Sequence, residues 1–185
     1  MKSFYLFFPL LSLFSTKLPA QNTIEPLRGY TPHIGTTVAM LEDLKKRVTS
    51  SVIHLSPEET DFLLDEEANR IGALILHLAA TEKYYQVYTF ENRRYNEEEK
   101  EKWEVALNLG AAGRATIKGQ SIDHYLDIWE EVRKETLRLL KTKDDEWFMA
   151  KVKGRNMNNY WAWYHVMEHQ ANHMGQIRLI TKRIK

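Results

Sequence analysis

Apolar residues return at steps of three and four along four long stretches of this chain. That spacing is the period of an α-helix with one buried stripe. Between Thr36 and Leu55 the stripe is Val38, Leu41, Leu44, Val48 and Val52. From Glu66 to Phe90 it is Ile71, Leu74, Leu78, Thr81 and Tyr85. After Ser121 it is Ile122, Leu126, Trp129, Val132 and Leu139, with Thr136 as its one polar member. From Asn158 to Ile184 it is Ala162, Val166, His169, His173, Ile177 and Ile180. Ser56, Pro57 and Glu59 supply an N-cap, a first-turn proline and a capping-box acid for a short helix after the first long one. Residues 96–108 read as a short polar helix, and residues 110–120, with three glycines, as a loop. Residues 141–156 read as a connection with room for a brief hairpin, and no alternation of period two persists elsewhere. The expected fold is all-α, a four-helix bundle with a short extra helix, in which sites form from side chains on facing helices.

Residues 21–35 carry Pro26, Gly29, Pro32 and Gly35 and are expected to be irregular. Residues 1–20 have the pattern of a secretory signal peptide. Lys2 is a positive start, Phe4 to Phe14 is an apolar run of eleven residues, and Ala20 suits the position before a cut. The run is well short of the ~20 residues that a spanning helix needs, so no stable membrane insertion is expected. The bundle is then residues 36–185 of an exported, periplasmic or secreted, protein.

Removing residues 1–20 removes two of 26 basic residues and no acid, leaving 24 basic against 25 acidic side chains. A balance so near neutrality gives no electrostatic case for nucleic acid. The chain has no cysteine, which excludes disulfides, thiolate metal sites and a cysteine nucleophile.

Three of the seven histidines, His165, His169 and His173, fall on the last helix. Residues four apart lie one turn apart on one face, whereas eight residues span ~12 Å along the axis. The outer two cannot share one ion at ~2.0–2.1 Å without severe strain. The usable pairs are therefore 165 with 169, or 169 with 173. The first lies in His165-Val166-Met167-Glu168-His169, an H-x-x-E-H pattern in which Glu168 would be a general base. That pattern lacks its downstream carboxylate ligand, because none of the sixteen residues after His169 is acidic. The second pair continues the inward stripe, where two neutral imidazoles need polar partners. A metal would satisfy both; hydrogen-bonded core histidines are the alternative. His77, mid-helix between Ala73 and Ala80, is the best third ligand. Nothing selects His33, His54 or His124.

Two segments carry a family resemblance. NRIGALILHLAATEKYY, from Asn69 to Tyr85, resembles the N-x-I-G-x-L-x-x-H-L-x-x-x-E pattern of the DinB superfamily, which includes the YfiT-like proteins. HQANHMGQI, from His169 to Ile177, resembles its H-x-x-x-H-x-G-Q-I. The resemblance implies a divalent metal, zinc or nickel, held between the second and fourth helices by His77, His169 and His173. His165 and Glu168 then stand beside the pocket. The charged segment 91–120 and the export signal depart from the family pattern. A cytosolic thiol cofactor does not follow for an exported member.

Three neutral ligands leave the ion its full charge and an open position, which suits Lewis-acid chemistry. Thr81, one turn after His77, could bond a bound water. Tyr84, Tyr85 and Trp161, about two turns from the ligands, could line the pocket, donate a proton or simply pack. The expected function is a metal-dependent hydrolase or transferase acting on a small molecule, with no catalytic residue singled out. The rivals are a non-catalytic metal- or ligand-binding bundle linked to stress and an interaction module with no metal. A homodimer is common for such bundles, although no face of this sequence marks one.

Overall fold

The computed structural model describes residues 23–184; the expected signal peptide, residues 1–20, and its cut after Ala20 lie outside them. All regular structure among the described residues is helical. The elements are α1 (Pro32–Val52), α2 (Pro57–Thr60), α3 (Ile71–Phe90), α4 (Glu97–Asn108), α5 (Gly110–Thr116), α6 (Ile122–Leu140), α7 (Asp145–Met149) and α8 (Asn159–Thr181). Four of them are long, and four short helices accompany these rather than one. α3 packs on α6, α8 and α4, while α1 closes against α8 and α6. No described helix is long and apolar enough to cross a membrane.

α1 starts at Pro32, inside the segment expected to be irregular. Proline has no N–H to lose at the first helical position. The next free donors are taken by Asp145, whose carboxylate accepts from the N–H groups of His33 (3.2 Å) and Ile34 (3.3 Å). Gly35 is needed within the first turn because the preceding strap lies on it. A Cβ there would meet the Leu27 carbonyl oxygen at 3.0 Å.

α2 has the capping box read from Ser56 and Glu59. α3 starts at Ile71 rather than Glu66. Asp65 Oδ1 accepts from the Glu67 N–H (2.9 Å), an Asx turn that competes with helix. Arg70 is held by the carbonyls of Asp61 (3.2 Å) and Arg114 (2.6 Å). The inward row Ile71, Leu74, Leu78, Thr81 and Tyr85 is buried, and so is most of the rest of α3. It is the interior rod of the fold.

α4 begins with a second capping box, Asn96 with Glu99, and docks through Trp103 and Ala106. It ends at Leu109, whose backbone (φ 53°, ψ −128°) lies in a region normally left to glycine. Such a conformation costs on the order of 1–3 kcal/mol. Residues 110–116, expected as loop, form α5. Ala111, Ala112 and Ala115 favour helix more than Gly113 opposes it. The real break is confined to Leu109 and Gly110 (φ 65°).

Ser121 caps α6 as expected. Its buried stripe ends on Leu140 instead of Leu139, and it includes Tyr125 and Arg133. Arg133 belongs to a buried polar network centred on Glu82 of α3. The guanidinium donates to both Glu82 oxygens (2.7 and 2.8 Å) and to Glu42 of α1 (2.8 Å). Trp129 Nε1 (3.1 Å), Thr136 Oγ1 (2.6 Å) and Gln170 Nε2 of α8 (3.3 Å) also donate to Glu82. Burial alone would raise the Glu82 pKa, but Arg133, Thr136 and Trp129 outweigh it and hold the carboxylate ionised. One network thus sets the register of all four long helices.

The expected hairpin in 141–156 reduces to one antiparallel bridge, Lys151 to Asn158. Asp144 and Asn158 cap α7 and α8, so helices take the residues that strands would have used.

Candidate metal centre

α3 and α8 run antiparallel, with His77 facing His169 and His173 while Tyr85 faces His165. His169 and His173 share a face of α8 because they are one turn apart. Gln170, beside His169, is buried and donates to Glu82, which fixes the rotation of α8 at this point. Ala73 and Ala80 are buried and small, leaving His77 room to reach across.

The result is a cluster of three imidazoles. His169 Nε2 lies 2.7 Å from His77 Nε2 and 3.0 Å from His173 Nε2. His77 Nδ1 lies 2.9 Å from the carbonyl oxygen of Ala106 in α4. A carbonyl can only accept, so Nδ1 carries the proton and the Nε2 lone pair points into the cluster. His173 Nδ1 donates in the same way to Gln176 Oε1 (2.8 Å), freeing its own Nε2. His169 has the remaining central nitrogen, and one proton there serves both neighbours.

Two nitrogens bound to one ion at ~2.0–2.1 Å stand about 2.9 Å apart in adjacent octahedral positions and about 3.3 Å apart in tetrahedral ones. The two spacings that involve His169 are close to the first value, and all three ligand atoms lie within 4.8 Å of one another. The donor set and the outward Nδ1 bonds also match what metal-bound histidines require. These three residues could hold a metal ion.

The cluster disfavours protons. Burial, then the neighbouring His173, His77 and His165, holds His169 down at about 3. Burial lowers His77 despite the opposing carbonyls of Ala106 and Leu107. Burial and then His77 lower His173. All three are neutral at neutral pH.

His165 stands one turn from His169, with ring centroids 5.7 Å apart, and its ring nitrogens are outside the cluster. Its Nδ1 lies 3.3 Å from Glu168 Oε2, and Glu168 also accepts from Asn172 (2.6 Å). Trp161 stacks on His165 (5.2 Å, 11°) and is exposed. Tyr84 packs among Tyr85, Tyr88 and Tyr95. Tyr85 meets His165 edge-on (5.7 Å), and burial, then Tyr84 and Tyr88, pushes its phenol up to about 12. Thr81 is buried and its hydroxyl has no partner among the described residues, whereas Thr37, Thr60 and Thr89 each bond a carbonyl one turn back.

His33, His54 and His124 lie outside the cluster. His33 is near Tyr160, His124 is against Tyr125, and His54 is exposed. Sequence reasoning missed the Ala106 carbonyl, Gln176 and Gln170. The carbonyl leaves no residue-type signal, but the two glutamines lie within the HQANHMGQI segment and were readable as the polar company of its histidines.

A family model for mycothiol-S-transferase matches residues 36–185. No curated protein matches the chain.

Proposed function

The chain belongs to the mycothiol-S-transferase family, which is DinB/YfiT-like, and we propose from this that it is a metal-dependent transferase moving a small thiol onto an electrophile. In this reading residues 36–185 are a DinB-type four-helix bundle, exported after cleavage near Ala20, and His77, His169 and His173 hold zinc or nickel. The observation that carries it is the convergence of three Nε2 atoms with two of the outer nitrogens already hydrogen-bonded.

When bound, such an ion supplies Lewis acidity that favours the thiolate at neutral pH. The reaction forms a carbon–sulfur bond, breaks the bond to the leaving group, and releases the thiol proton and that group. The three imidazoles contribute no charge of their own, so the positive charge needed to hold a thiolate is not cancelled by the protein. Tyr85 keeps its proton and presents a neutral wall. His165, half-exposed and oriented by Glu168, borders the solvent side of the cluster together with Trp161. Burial of the α3 side keeps water from reaching the ligands from behind.

The test is elemental analysis of purified protein, followed by assay of the zinc- and nickel-loaded forms with cysteine-based thiols and alkyl or aryl halides. Thiol conjugation above the uncatalysed rate supports the reading. Metal uptake without turnover, on halides or on esters and amides, would leave a non-catalytic binding bundle. No uptake would refute both. Light scattering of the same sample decides between monomer and homodimer.

A further inference from the structure

The carbonyl that orients His77 exists only because α4 stops where it does. In an uninterrupted α-helix each carbonyl accepts from the N–H four residues on. Ala106 would then bond Gly110. Instead, the N–H of Leu109 closes the last turn on Val105, and the chain turns away through the left-handed conformations of Leu109 and Gly110. The Ala106 oxygen is left without an intrahelical donor, as the final carbonyls of any helix are. It points instead at His77 Nδ1, 2.9 Å away, in the buried contact between α3 and α4. The negative end of the helix dipole lies at the same place.

Leu109 is an unexpected residue for this backbone. Gly110 follows it, and α5 resumes at once, so a glycine at 109 would have made the break without strain. The leucine side chain is half-buried, touches the space beside Gly113 and packs on the main core. The break is thereby held in one place, directly after the carbonyl that His77 uses.

We propose that the α4–α5 break is part of the metal site. Leu109 is a positioning residue, acting through the Ala106 carbonyl to keep the proton of His77 on Nδ1 and its Nε2 lone pair free for the ion. This rests on the metal reading above and extends it to an element that contributes no ligand. Outer partners of metal-binding histidines typically affect affinity by 10–100-fold. The segment that departs most from the family pattern, residues 91–120, then has a function at the centre.

Three measurements test it, using zinc alone as the probe. First, long-range proton–nitrogen NMR of the metal-free wild type reads the His77 tautomer directly. Nδ1–H is expected, and Nε2–H overturns the proposal. Second, the double variant Leu109→Ala with Gly110→Ala lets the helix run on, so that the N–H of residue 110, brought into helical register, competes for the Ala106 oxygen. Zinc affinity should fall 10–100-fold while the metal-free melting temperature holds or rises. A purely structural role would move both together, and unchanged affinity in a folded variant overturns the proposal. Third, Leu109→Gly permits the break but removes the side chain that holds it in place, so zinc affinity should fall, by less than in the double variant; affinity equal to that of the wild type overturns the positioning role of Leu109. If the double variant does not fold, the NMR and the glycine variant decide. A wild type that takes up no zinc or nickel defeats the metal reading itself, which is a separate outcome.

Discussion

The ring of Tyr125 fills the space that a side chain on Gly72 would need: a Cβ at position 72 would lie 2.3 Å from Tyr125 Cε2 and 2.8 Å from Cδ2. Glycine in the first turn of α3 is therefore what allows α6 to approach so closely. Gly72→Ala should destabilise the protein by about 1–3 kcal/mol through overpacking. Urea unfolding would measure it, and adding Tyr125→Leu should recover part of the loss. An alanine variant as stable as the wild type would contradict the contact.

Glu82 and Arg133 are both buried, so removing one leaves the other without compensation. Glu82→Ala should lose about 3–5 kcal/mol. Replacing both by apolar residues of similar volume, as in Glu82→Leu with Arg133→Met, should lose much less. A double-mutant cycle in denaturant reads the difference. Similar losses from both variants would mean that the network does not act as a unit.

His169 is the central member of the cluster, and His165 lies outside it. His169→Ala should abolish zinc or nickel uptake, while His165→Ala should largely spare it, as read by elemental analysis after dialysis. Equal loss from both would favour the rival 165–169 pair.

Acid should weaken the metal-free protein before it protonates most carboxylates. His169 is held at about 3, against 6.5 for an ordinary histidine, and His77 and His173 are lowered as well. A lowered pKa means that the unfolded chain binds more protons than the folded one. Stability then falls as pH falls. The contribution is complete above about pH 6.5 and is lost progressively on the way down to about 3. Glu82 adds its own loss below the ordinary carboxylate range. Denaturation in the presence of a chelator between pH 4 and 7 should show this slope, and His169→Ala should flatten it.

The long helices were readable because burial of one face leaves a period in the sequence. α6 is the clearest case: Ser121 caps it, and Ile122, Leu126, Trp129 and Val132 are buried as expected. α3 was readable as a helix but not as the interior rod, since a helix buried over most of its surface has little contrast between faces. Its true start was hidden by Asp65, which forms a local Asx turn, and by Arg70, whose side chain holds the carbonyls of Asp61 and Arg114. The glycines of residues 110–120 pointed to a loop, yet only Gly110 and Gly119 take positive φ, while Gly113 lies within α5. At the site, the i, i+4 spacing left two pairs, and the inward stripe of the last helix favoured His169 with His173. It could not bring His77 across, because that depends on how two helices dock. The Ala106 carbonyl was invisible for a deeper reason. Every residue has such a group, and only the backbone path around Leu109 makes this one available.

That α3 is buried over most of its surface also bears on how the molecule opens. Amide hydrogens from Leu74 to Tyr85 lie beneath α6 and α8, so they should exchange last. α4 touches α3 on a single side and can lift by itself, so Trp103 and Ala106 should label earlier. The rod would then keep its neighbours in register through such excursions, and a partner entering beneath α4 would find the interior already assembled.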